Sequence, residues 1–177
     1  CRDSKIFSIY EGTNHIQALD LVGRKLPQNG GANLQAFLGD VATFIAETKD
    51  HEVLGPLVAE LGAAHEAFSG MAMKLLVWFQ SGKMQMVPLA ANRVLEMMSE
   101  VVIGWLLLEQ AKIALAAKAS LPEGEAGAGG PPVYEGEPHA PTYFAKNVLP
   151  NVRATAEVLG REDSSPMDIP LEAFATV

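Results

Sequence analysis

Apolar side chains recur along most of this chain every three or four residues, the spacing that lines one face of an α-helix. From Thr13 to Leu26 the series is Ile16, Leu19, Leu21, Val22 and Leu26, and Pro27-Gln28-Asn29-Gly30-Gly31 then stops it. A second series, Leu34, Phe37, Leu38, Val41, Phe44 and Ile45, fades at Lys49-Asp50. A third opens near Pro56 and runs through Leu57, Leu61, Ala64, Phe68, Met71, Leu75, Leu76 and Phe79 to Gly82. A fourth carries Leu89, Val94, Leu95, Met98, Val102, Trp105, Leu106, Ile113 and Leu115, with Arg93, Glu96, Glu100, Glu109 and Lys112 mostly on another face. The two-residue period of a strand occurs nowhere. The pattern predicts an all-α helical bundle in which the third and fourth helices, joined tightly at Ser81-Gly82-Lys83, form a long antiparallel hairpin.

The interruptions are as informative as the stripes. Gly62 and Gly70 lie inside the third helix at a cost of about 1 kcal/mol each relative to Ala, for which close approach of a neighbouring helix is the expected compensation. Leu121 to Ala140 contains Gly124, Gly127, Gly129, Gly130, Pro131, Pro132 and Pro138, four Glu and no basic residue, the composition of a mobile acidic loop. Its glycines neither follow a strand nor open a helix, so they do not form a phosphate cradle. A last helix, roughly 141 to 160, carries Tyr143, Phe144, Val148, Leu149, Val152, Ala156 and Leu159, and Pro150 should kink or break it. Met167, Ile169, Leu171 and Phe174 form a short apolar tail expected to pack on the same core.

Composition narrows the function classes. With 177 residues, 49% of them hydrophobic, the chain can bury one sizeable core. The most apolar run, Val101 to Leu108, is ended by Glu109 and Gln110, far short of the roughly 20 residues that cross a bilayer, so no membrane insertion is expected. Cys1 is the sole cysteine, which excludes an internal disulfide and suggests a reducing, cytoplasmic compartment. Formal charge is -8, and it is uneven: residues 1–26 carry four basic and three acidic side chains, the remainder nine and eighteen. An acidic surface of this kind argues against nucleic acid or anionic membranes as partners. His51, His65 and His139 do not pair at a ligand spacing, so no metal site is expected. The methionines of the central hairpin, with Trp78, Phe79 and Trp105, read as packing residues.

The stretch richest in candidate chemistry is Arg2-Asp3-Ser4-Lys5-Ile6-Phe7-Ser8-Ile9-Tyr10-Glu11-Gly12-Thr13-Asn14-His15-Ile16-Gln17. Its residues predict a short amphipathic helix, a break at Gly12, and a new helix capped by the Thr13 hydroxyl. Glu11 falls in the break, close to the free N–H groups of the following helix, where an anion or a developing oxyanion is favoured.

This string closely resembles the C-terminal signature of the acyl-CoA dehydrogenases, Arg-Asp-x-x-Ile-x-x-Ile-Tyr-Glu-Gly-Thr-x-x-Ile-Gln. In straight-chain members of that family the Glu is the base that removes the α-proton of the acyl thioester, so the resemblance assigns that role to Glu11. It likewise implies substrate contact at Gly12 and FAD contact at Thr13, Asn14 and His15, the last standing where the family often has Gln. The thioester α-proton is weakly acidic, so the carbonyl must be polarised while a positioned base takes the proton. Burial beside an apolar acyl chain strengthens a carboxylate base, and an adjoining helix N-terminus weakens it.

The resemblance implies further expectations. Residues 1–26 would be the last helices of a catalytic domain, 27–31 a linker, and 32–177 a helical C-terminal extension. Such an arrangement is similar to the extended bacterial branch that includes dehydrogenases for methylthiopropionyl-CoA and related thioesters. With no N-terminal helical domain or middle β-domain, and no initiator Met, the chain is expected to be a C-terminal piece, inactive alone. The family implies an acyl-CoA substrate, an electron acceptor that is itself a flavoprotein, and a homodimer or dimer of dimers. The alternative is a helical assembly module without activity of its own.

Overall fold

The computed structural model describes residues 5–9, 13–120 and 139–174. Seven α-helices are described: α1 (Lys5–Ile9), α2 (Asn14–Asp20), α3 (Ala32–Thr48), α4 (Gly55–Gln80), α5 (Met86–Ala119), α6 (His139–Asn147) and α7 (Pro150–Gly160). Among the described residues there is no strand. A π-helical turn, Leu21–Lys25, prolongs α2, and short 3₁₀ turns cover Gln28–Gly31, Ser165–Met167 and Leu171–Phe174.

The α4–α5 hairpin is the axis of the bundle. At 1.5 Å per residue, α4 is about 39 Å long and α5 about 51 Å. Gly82, with φ of 77°, lets the chain reverse between them. The buried face of α4 runs through Leu61, Ala64, Phe68, Met71, Leu75 and Trp78. The buried positions of α5 mix small residues, Ala90, Ala91, Gly104, Ala111 and Ala114, with Val94, Met97, Val101 and Leu108. Small side chains let neighbouring helix backbones approach, so part of the inward face of α5 is Ala and Gly while some large apolar residues face outward. Leu106 and Ile113 belong to the predicted apolar stripe but are exposed, together with Ile103.

Around the hairpin, α3 packs on both helices through edge-on aromatic contacts, with Phe37 6.5 Å from Phe68 of α4 and 6.2 Å from Trp105 of α5 between ring centroids. The His65 ring, at Nε2, is 3.0 Å from the Leu38 carbonyl oxygen across the same interface. α6 and α7 cover the other side of α4 and α5. Pro150 stands in the first turn of α7, so the expected break becomes two helices separated at Val148 and Leu149, and the proline opens the second.

The glycines behave differently from the reading above. A Cβ on Gly70 would meet nothing within 4 Å, and one on Gly62 only the Ile45 Cγ2 at 3.8 Å, so neither marks a close helix approach. Close approach occurs instead at Gly104, where a Cβ would lie 2.9 Å from Leu149 Cδ2. The apolar tail is a second correction, since Met167, Ile169, Leu171 and Phe174 are all exposed, Leu171 at 84%. After Gly160 the chain turns outward through short 3₁₀ turns and gives these residues no helical face to seat. The predicted acidic loop lies largely outside the described residues, and its last two positions, His139 and Ala140, begin α6.

Candidate functional site

Thr13, Asn14 and His15 stand at the start of α2, and all three are exposed. Glu11 and Gly12 lie outside the described residues. α2 and its π-helical extension are held by one line of apolar residues, Ala18, Val22 and Leu26, all buried in the core they share with α4 and α5. Their spacing of four residues points that line inward and leaves Ile16 and Leu19 outward and exposed. Ile6 and Ile9 of α1 are exposed as well. The segment is therefore anchored on one side and presents polar and apolar groups on the other.

Thr13 occupies the N-cap position, but its side chain makes no capping hydrogen bond, a departure from the sequence reading. Its backbone, at φ -95° and ψ -9°, is in the helical region, whereas a capping side chain needs the extended one. His15 has a partner that spacing could not reveal: its Nδ1 is 3.1 Å from Oδ1 of Asn92, on α5. Asn92 sits in the sequence as one more polar residue on an exposed helix face, so nothing in the chain order marks it. Further along, Arg24 donates from Nε and a terminal nitrogen to both oxygens of Asp20, at 2.5 and 2.8 Å. That bidentate bond lowers the Asp20 pKa and raises that of Arg24.

Beyond this segment, a cleft of about 480 Å³ opens between the chain after α2, α3 and the C-terminal half of α4. Leu26, Leu34, Leu38, Met73, Leu76 and Phe79 supply most of its wall, with Gln35 and Ser69 as polar exceptions. The turn that shapes its rim needs unusual backbone: Asn29, Gly30 and Gly31 take φ of 54°, 67° and 85°, the left-handed region that glycine enters at little cost. A second, polar groove between α5 and α7 holds Arg93, Glu96, Glu100, Asn151 and Thr155. There, burial and then the nearby Glu96 raise the Glu100 pKa, while a hydrogen bond with Asn151 opposes them.

Among the described residues, no three His, Cys, Asp or Glu side chains are grouped to hold a metal ion. Nor is any described helix long and apolar enough to cross a membrane.

The sequence has known counterparts. Residues 37–170 match the family model described as acetyl-CoA dehydrogenase C-terminal like. The chain belongs to this family. A butyryl-CoA dehydrogenase of Syntrophomonas wolfei is 31% identical over 173 residues, 98% of this chain and 28% of the relative. A broad-specificity linear acyl-CoA dehydrogenase of Mycobacterium tuberculosis is 34% identical over 180 residues, with the same two shares. A 3-methylmercaptopropionyl-CoA dehydrogenase of Ruegeria pomeroyi is 38% identical over 69 residues, 38% of this chain and 12% of that protein. The chain thus spans 28% of the length of the first two relatives. It is a C-terminal domain of the acyl-CoA dehydrogenase family, in which Ala18, Val22 and Leu26 share one core with the helices that follow.

Thr13, Asn14 and His15 offer a hydroxyl, an amide and an imidazole in consecutive exposed positions. That donor and acceptor set suits the edge of a large polar cofactor such as FAD, whose remaining contacts would come from other parts of a longer polypeptide.

Proposed function

We propose that this chain is the C-terminal part of an FAD-dependent acyl-CoA dehydrogenase, with Glu11 as the base that takes the α-proton of an acyl-CoA thioester. The observation that carries the reading is the Arg2 to Gln17 string, supported by a likeness to acyl-CoA dehydrogenases over 98% of the chain. Residues 1–26 close the catalytic domain, 27–31 link, and 32–177 form the extension. Gly12 contacts substrate, and Thr13, Asn14 and His15 contact the flavin.

Glu11 receives the α-proton, and a double bond forms between the α and β carbons as the β-hydrogen departs with its electron pair. FAD, when bound, supplies the acceptor for that hydride, and a flavoprotein partner takes the electrons onward. Ala18, Val22 and Leu26 hold α2, which begins three residues after Glu11 in the chain, against the core. The exposed Ile6, Ile9, Ile16 and Leu19 support burial of this face under the rest of the enzyme.

A second role is favoured by the exposed α5 row Ile103, Leu106 and Ile113, which supports assembly of the parent enzyme as a homodimer or dimer of dimers. The single cysteine is consistent with a reducing cytoplasmic setting.

The test is a visible absorption spectrum of the purified full-length polypeptide, followed by anaerobic addition of a panel of acyl-CoAs. Flavin bands that bleach with one of them support the reading and name the thioester class. A protein without flavin, or a flavin that no thioester reduces, leaves the assembly role. Glu11→Gln should retain FAD and lose α-proton exchange from bound substrate by at least about a hundredfold. Ordinary turnover by that variant would remove Glu11 from the mechanism.

A further inference from the structure

We propose that Asn92 is a positioning residue for the flavin-contacting segment, acting through the His15 ring. The inference rests on the flavin reading of Thr13 to His15 given above. His15 and Asn92 are 77 positions apart, yet their side chains meet at 3.1 Å between Nδ1 and Oδ1. An amide oxygen has lone pairs and no hydrogen, so the imidazole nitrogen facing it is the one that carries a proton and donates. In the neutral ring, Nε2 is then left unprotonated and can only accept.

Both ends of this contact are mounted on the same core. Asn92 follows the fully buried Ala91 on α5 and stands two residues before the fully buried Val94, and His15 sits one turn before the fully buried Ala18 on α2. The contact therefore fixes ring orientation and tautomer together, as the second hydrogen bond of a functional histidine commonly does. FAD carries donors that such an acceptor suits, its ribityl hydroxyls and its imide N–H. A ring free to exchange tautomers would offer N–H to those groups part of the time. The helical extension thus takes part in holding the cofactor, through one amide that touches neither flavin nor substrate.

The experiment uses the full-length polypeptide stripped of flavin and titrated with FAD, binding being followed by quenching of flavin fluorescence. Asn92→Leu and His15→Phe are each expected to raise the Kd about tenfold. The double variant is expected to bind no more weakly than His15→Phe alone, since one contact has been removed twice. Nitrogen-15 spectra of histidine-labelled protein should show a single tautomer at His15 in the parent, with the proton on Nδ1, and a mixture in Asn92→Leu. Asn92→Ala, matched to the parent by circular dichroism and melting, repeats the titration with a smaller side chain. Additive losses in the double variant, or an unchanged tautomer without Asn92, would overturn the proposal. FAD bound equally by the parent and both Asn92 variants would overturn it alone, whereas a parent that binds no FAD would remove the flavin reading too.

Discussion

Gly104 and Leu149 show how much can rest on the absence of one methyl group. Gly104 lies in the interior of α5, where Ala is favoured by about 1 kcal/mol, so its place there needs a tertiary reason. The reason is Leu149, 1% exposed, whose Cδ2 would sit 2.9 Å from an added Cβ. A shift of that buried leucine costs about 1–3 kcal/mol, more than the propensity gain. Gly104→Ala is thus expected to destabilise the protein by about 1 kcal/mol. Gly70→Ala, with nothing within 4 Å of the new Cβ, should stabilise it by about the same amount. Urea midpoints of the two variants decide the matter, and a stabilised Gly104→Ala would mean that Leu149 moves freely.

The end of α7 is secured to the hairpin by charge. Lys74 of α4 donates to the Gly160 carbonyl oxygen at 3.1 Å and pairs with Glu162 at 2.9 Å, while Lys83 of the hairpin turn pairs with the same carboxylate. Glu162 holds a left-handed backbone, φ 55°, which a non-glycine residue rarely adopts without such support. The hydrogen bond from Lys83, then that from Lys74, lower its pKa from 4.5 to about 2. The Trp78 indole N–H makes no hydrogen bond of regular geometry, but lies close enough to favour the charged form. A carboxylate with a depressed folded pKa stabilises fully above its ordinary value and loses that contribution as the pH falls through the folded one. Melting temperature should therefore drop between about pH 4.5 and pH 2, and the drop should be smaller in Glu162→Gln. That variant should also melt lower than the parent at pH 7, with the two converging near pH 2. Parallel acid limbs in parent and variant would assign the loss to other carboxylates.

At the scale of the whole molecule, the surface proposed for assembly is the outer face of α5. Ile103, Leu106 and Ile113 follow helical spacing and stay exposed, the last at 65%. Isolated surface substitutions usually change stability by less than about 0.5 kcal/mol, so Leu106→Glu should leave the melting temperature nearly unchanged. If the row is a contact between copies, that variant of the full-length enzyme should sediment as a smaller species than the parent. An unchanged sedimentation coefficient would exclude this face as the contact.

Helical periodicity alone set the order and approximate positions of α3, α4 and α5, because burying one side of a helix imposes its period on the chain. The break at Pro150 was equally legible, since proline lacks the N–H that a continuing helix needs. The string around Glu11 carried the chemical reading through residue types that packing does not require. Other features depend on partners far along the chain, which local patterns do not contain. Which α5 positions turn inward, small Ala and Gly as well as Val94, Met97, Val101 and Leu108, is decided by the faces of its neighbours as much as by its own. Glycine alone did not tell Gly104, which meets Leu149, from Gly70, which meets nothing. The exposed tail and the cleft beside the Asn29–Gly31 turn likewise had no local signal. Asn92 is the clearest case: a polar residue on a polar helix face becomes the partner of His15 only when α2 is laid against α5.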